Sequence, residues 1–160
     1  MRHLAMIFAM CFAVALGTDL GPVLAESPED AAQRLVGMWR LVSITTNGQL
    51  NPDRGPHPTG FIVYDKSGNM SVQIMPDRLR TKAGQQLTPD EAKAALIGYT
   101  AYFGTYDVDP KAGTVTHHRK GNVIPGAPAD VVRRFEFVGN DRVVLRPVEN
   151  ANELTWERVK

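Results

Sequence analysis

The chain has 160 residues, 43% hydrophobic and 22% charged, with a formal net charge of +1 and a single cysteine. So even a balance supplies no field that would gather nucleic acid or an anionic membrane surface. One cysteine excludes an intrachain disulfide framework and any Cys-based metal site. The length suits one domain with one core, and the composition favours a small, weakly charged partner.

Residues 1–25 read as a secretory signal peptide: Arg2 and His3 form a basic start, Leu4 to Leu16 is continuously apolar, and Val23-Leu24-Ala25 is a small-residue cleavage pattern. The apolar run falls short of the roughly 20 residues that cross a bilayer, so cleavage after Ala25 is expected rather than a membrane span. Cleavage removes Cys11, the only thiol. The expected location is the periplasm or the exterior, with no membrane span left after processing. Residues 26–34 follow as a polar, Ala-rich lead-in, read as a solvated arm with an option on a short helix.

The remaining segment, 35–160, carries eight strand-like runs. Strand one runs from about Val36 to Thr46 and opens on Gly37-Met38-Trp39. The segment Asn47 to Pro58, with Gly48, Asn51-Pro52 and Gly55-Pro56, is loop chemistry. Gly60 to Tyr64 and Asn69 to Met75 form a hairpin around Asp65-Lys66-Ser67-Gly68, and Met70, Val72 and Ile74 alternate as one buried face. Thr88-Pro89-Asp90-Glu91 is a helix start with a capping hydroxyl, Pro in the first turn and Glu at the third position; Gly98 stops the helix after about Ile97. Four further strands follow: Tyr99 to Val108, Thr114 to Arg119, Val131 to Val138 and Arg142 to Arg146. The eighth is Leu154 to Val159. The expected fold is all-β, an eight-stranded antiparallel up-and-down barrel with one short helix between strands three and four.

Loop lengths orient such a barrel, because alternate connections share an end. Connections two, four and six are short turns, whereas one, three and five are long. The long loops thus ring an open mouth and the short turns close a base. Gly37, Trp39, Trp156 and Arg158 fall toward the base, where a Trp39–Arg158 cation–π contact would join the two ends of the domain. Toward the mouth lie Tyr99, Tyr102, His117, His118, Arg119, Arg133 and Arg134, a concentration of hydrogen-bonding and titratable groups on neighbouring strands; Tyr99, Tyr102, His117, His118 and Arg133, with Tyr106 on the parity of Tyr102, are singled out among the inner-wall positions. They are the candidate ligand-binding residues.

Gly37-Met38-Trp39, Ala101 to Tyr106, Val115-Thr116-His117-His118, Val132 to Phe137 and Leu154-Thr155-Trp156-Glu157-Arg158 together resemble the lipocalin-like domain family of bacterial and fungal proteins. The similarity covers most of the chain after the leader. It implies a calycin-type barrel with a small-molecule cavity and, by analogy with members in fungal natural-product pathways, isomerase or cyclase chemistry as an alternative.

Adjacent strand residues face opposite ways, so His117 and His118 cannot chelate one ion together, and His57 lies in a distant loop. No metal and no cofactor are therefore expected. One of the two histidines suits acid/base work near neutrality, which makes His117 and His118 the catalytic candidates if the protein is an enzyme. Arg133 shares the parity of Val131, Phe135 and Phe137, and is the likelier inward arginine to meet an acidic ligand end. Three readings stay open: a barrel binding a small, largely apolar or amphipathic ligand with a polar or acidic end, an isomerase or cyclase, and an envelope interaction protein whose barrel is filled with side chains.

Overall fold

The computed structural model describes residues 28–78 and 84–160. The expected leader, its cleavage site and Cys11 lie outside them. The elements are α1 (Pro28–Leu35), β1 (Gly37–Thr46), β2 (Gln49–Leu50), β3 (Thr59–Tyr64), β4 (Asn69–Met75), α2 (Pro89–Leu96), β5 (Thr100–Asp109), β6 (Thr114–Asn122), β7 (Asp130–Val138), β8 (Arg142–Pro147) and β9 (Asn152–Arg158).

Each strand from β3 to β9 pairs antiparallel with the next, β3 pairs with β1, and β1 pairs with β9, which closes an eight-stranded up-and-down barrel. The short β2 only extends a hairpin from the end of β1. Closure leaves no stave with an unpaired edge along its length, which removes the aggregation hazard of an open sheet. Alternation sends Ile62 and Tyr64, Met70, Val72 and Ile74, Val143 and Leu145, and Leu154 and Trp156 inward, and all are buried. In β1 the inward series passes from Trp39 and Leu41 to Ile44, a break of parity made by a bulge between Leu41 and Ser43 opposite β9.

At the base, the indole of Trp39 is fully buried and donates to the Leu35 carbonyl at 2.8 Å. The Arg158 guanidinium lies 4.1 Å from the Trp39 ring centre and donates to the carbonyls of Val36, at 2.9 Å, and Arg34. Gly37 has φ +135°, and a Cβ there would sit 2.8 Å from Arg158 Nη1. The glycine thus makes room for the arginine that caps the helix end.

Two expectations change. The lead-in is a helix, not a solvated arm: Leu35 is wholly buried, Ala31 nearly so, and the Arg34 guanidinium stacks 3.9 Å from the Phe137 ring. Its apolar side closes the barrel base, an interaction that composition alone does not show. Strand five of the sequence reading, expected to end at Arg119, continues as β6 to Asn122, because a bulge beside Phe103 and Gly104 absorbs one residue and lets Gly121 and Asn122 pair with β5. A Cβ on Gly104 would lie 1.9 Å from the His118 carbonyl, so this glycine serves backbone approach between strands.

The second helix has the expected capping box, with the Thr88 amide donating to Glu91 at 2.8 Å and the Glu91 amide to the Thr88 hydroxyl at 3.3 Å. None of its residues is buried. The two helices therefore differ sharply in what they contribute. Leu35→Ala should cost about 2–5 kcal/mol through loss of a buried side chain at the base, whereas Leu96→Ala on α2 should stay within about 0.5 kcal/mol. Urea unfolding of both variants checks this, and equal costs would contradict the role assigned to α1.

Candidate functional site

Three inward strands bring a polar cluster into the apolar barrel. Tyr64 ends β3, Tyr102 lies near the start of β5, and His117 sits in the middle of β6. The Tyr64 hydroxyl is 2.7 Å from His117 Nε2, and the Tyr102 hydroxyl is 2.9 Å from Nδ1. From β7, Arg133 donates to the Tyr102 hydroxyl at 3.2 Å. The result is a chain of contacts, Arg133 to Tyr102 to His117 to Tyr64, descending from the mouth toward the base.

His117 is fully buried. Burial holds its pKa well below the ordinary histidine value, and the positive charges of Arg133, Arg119 and His118 push the same way. The ring is thus neutral: one nitrogen donates to a tyrosine hydroxyl and the other accepts from the second tyrosine. Burial likewise raises the Tyr64 hydroxyl well above the usual phenol range, with Tyr102 adding to the effect. Both nitrogens of His117 are engaged, and Tyr102 stands between it and the mouth.

His118 has the opposite environment. It points outward, with Nδ1 2.8 Å from Asp130 and Nε2 2.9 Å from Asp107, and the hydrogen bond to Asp130, then that to Asp107, raises its pKa. Tyr106 lies at the base rather than the mouth, where its hydroxyl donates to the Asp65 carbonyl at 2.8 Å and its ring packs edge-on to Tyr64 at 4.8 Å. Tyr99 precedes β5 at the end of α2, its amide bonded to Leu96, and lies outside the wall of the mouth cavity. Of the six ligand-binding candidates, Arg133 alone lines that cavity, and Tyr102 lies directly beneath it.

The mouth cavity measures about 420 Å³. Its wall mixes apolar side chains, from Ile44, Ile74, Val131 and Leu154, with polar ones, among them Thr100, Asn152 and three arginines, Arg54, Arg119 and Arg133. Arg54 donates to the Gly98 carbonyl and, at 2.8 Å, to the Thr100 hydroxyl, which ties the first long loop to the start of β5. Arg119 donates to the Pro128 carbonyl and lies 5.4 Å from the Tyr102 ring centre. Asp130 and Glu149 are the acidic groups of the wall. Below the mouth, buried side chains pack the barrel interior, and a void of about 20 Å³ there is walled by Thr100, Tyr102, Arg133, Trp156 and apolar neighbours. Among the described residues no group of three or more His, Cys, Asp or Glu side chains is placed to hold a metal ion. Among them, too, no helix is long and apolar enough to cross a membrane.

The sequence profile of the lipocalin-like domain matches residues 36–159, the span from the end of α1 through β9. The chain belongs to the lipocalin-like domain family. Among solved structures, this lipocalin-like barrel is similar to a DUF4847 family protein from Bacteroides vulgatus, with 13% identity, 79% of this chain and 94% of that chain covered, and a TM-score of 0.43. No curated protein matches it.

Two contributors to the site, Tyr64 and Arg54, were not singled out by sequence reasoning. Tyr64 shares the inward parity of Ile62, so the pattern contained its direction but not its partner across the barrel. Arg54 sits in a loop, where periodicity carries no information. Trp156, expected as a base residue, also walls the void beneath the mouth.

The paired histidines give stability opposite dependences on pH. His117 has a depressed folded pKa, so below about pH 6.5 the unfolded chain binds a proton that the folded chain does not. Stability therefore falls on acidification, by at most about 1.4 kcal/mol per pH unit. His118, with a raised pKa, contributes stability that is present below its ordinary pKa and is lost as pH rises through its folded value. His117→Gln, which keeps one donor and one acceptor, should flatten the fall in urea midpoint between about pH 6.5 and 5. His118→Gln should leave that acid limb unchanged and instead remove a loss of stability as pH rises above about 6.5. An unchanged acid limb in His117→Gln would show that the ring is not held neutral.

Proposed function

We propose that this lipocalin-like protein is an exported binding barrel for a small amphipathic anion held at its mouth. The observation that carries this reading is the 420 Å³ cavity whose wall sets three arginines among apolar side chains. That size falls in the usual range for small-ligand sites, which bury an apolar body and fix it with a few placed polar groups. Arg133 supports the reading most directly, since it spends one hydrogen bond on Tyr102 and has no ion-pair partner among the described residues. Arg119 adds a second donor: its Nε is buried with no hydrogen-bond partner among the described residues. An anionic group with two acceptor oxygens meets such guanidinium forks well. The buried side chains below support a ligand at the rim over one deep in the interior. Export rests on the leader-like composition of residues 1–25.

Anilinonaphthalene sulfonate, an anion with an apolar body, tests the mouth. Its fluorescence should rise saturably with the protein and be displaced by octanoate. Arg133→Met should weaken both by about tenfold or more, the scale of a lost charged hydrogen bond, while leaving octanol affinity within about twofold. Absence of saturable binding, or an unchanged affinity in Arg133→Met, would overturn the reading. For export, intact mass of the protein recovered from its producing cell should correspond to a chain starting at Glu26; a retained leader would count against it.

A further inference from the structure

The void beneath the mouth has a chemical bias. It measures about 20 Å³, above the roughly 10–15 Å³ needed to admit one water-sized group. It shares Ile74, Thr100, Arg133 and Leu154 with the mouth cavity, so the two spaces adjoin. Trp156, 1% exposed, walls it from β9, and its indole N–H has no hydrogen-bond partner. The other polar groups around it have partners: the Thr100 hydroxyl accepts from Arg54, and the Tyr102 hydroxyl meets Arg133 and His117. The Trp156 indole N–H is thus the donor on this wall to which no described residue offers an acceptor. Buried indole N–H groups ordinarily find one, and leaving such a donor unmet is costly.

We infer that the void is a carboxylate subsite, which receives one oxygen of the ligand's acid group from the Trp156 indole N–H while the second oxygen stays on the Arg133 guanidinium. This rests on the mouth-binding reading and deepens it, because it fixes both the class of the ligand and its orientation. A cation would meet Arg133 and is disfavoured. An apolar group would leave the indole donor unmet. A planar carboxylate that lowers one oxygen into a space this small leaves a single oxygen for Arg133, whereas a phosphate or sulfonate doing the same leaves two further oxygens to be accommodated above the void. The acid end then lies downward, and the apolar tail runs up along Ile44, Ile74 and Leu154 toward the rim. The ligand class is a monocarboxylate with a modest apolar tail.

The two tryptophans provide a test with a built-in control. In heteronuclear NMR of isotope-labelled protein titrated with octanoate, the Trp156 indole N–H signal should move downfield saturably as it gains an acceptor. The Trp39 signal, already bonded to the Leu35 carbonyl at 2.8 Å, should stay in place. In a parallel measurement, Trp156→Phe should lose about tenfold or more in octanoate affinity, with octanol affinity unchanged. Should the Phe variant fail to fold, the titration of the unmodified protein decides alone. Saturable octanoate binding with an unmoved Trp156 signal would overturn the subsite and leave mouth binding standing. Failure of both octanoate and anilinonaphthalene sulfonate to bind would overturn the two together.

Discussion

The barrel depends on one arginine at its base. Arg158 lies at the end of the last strand, yet it stacks on Trp39 in the first and donates to the carbonyls of Arg34 and Val36 at the end of the helix before it. Those carbonyls are groups that a helix end leaves without intrahelical partners. A single guanidinium thus joins the closing seam between β1 and β9, caps α1 and covers the indole that fills the base. Gly37 follows from the same contact, since a side chain there would occupy the space of Arg158 Nη1. A lysine could supply the charge but not a planar group that stacks on an indole and donates in two directions.

Trp39, Leu35 and Arg158 seal the base, and the cavity of about 420 Å³ lies at the other end. Side chains fill the middle of the barrel, and the Tyr64–His117–Tyr102 chain is part of that filling. A neutral imidazole between two tyrosines satisfies three buried polar groups without a buried charge, which is why it survives among Ile62, Val72 and Leu145. The same arrangement argues against His117 as a proton shuttle in this conformation. Both its nitrogens are occupied, and its path to the mouth runs through Tyr102.

The sequence made the barrel legible because its signals are periodic and local. Alternation in 70–75, the hairpin at 65–68 and the contrast between short and long connections together gave strand count, topology and polarity. The capping box at Thr88 located α2 within a residue. What it concealed was non-local. The burial of α1 depends on the opposite end of the chain, and the extension of β6 depends on a bulge that only pairing reveals. In the site, parity sent Arg133 and one of the two histidines inward, but depth along the barrel axis decides whether an inward residue reaches ligand or core. Tyr106 and His117 share the face of Tyr102 or Arg119 and sit too far down to meet the mouth. Arg54 comes from a loop whose path no period describes.

That depth also couples the polar chain to whatever occupies the mouth. The charge of Arg133 is the second cause, after burial, that keeps His117 neutral. An anion on Arg133 offsets that charge and so removes part of the repulsion felt two contacts further down. Burial remains the larger effect and keeps the imidazole neutral near pH 7, so occupancy shifts its proton affinity without charging it. Linkage requires the reverse as well: whatever raises the cost of the Arg133 charge tightens the hold on an anion. A buried neutral histidine beneath a cation therefore costs little in the folded protein. It adds no charge beneath a guanidinium that lines the mouth cavity and has no ion-pair partner among the described residues.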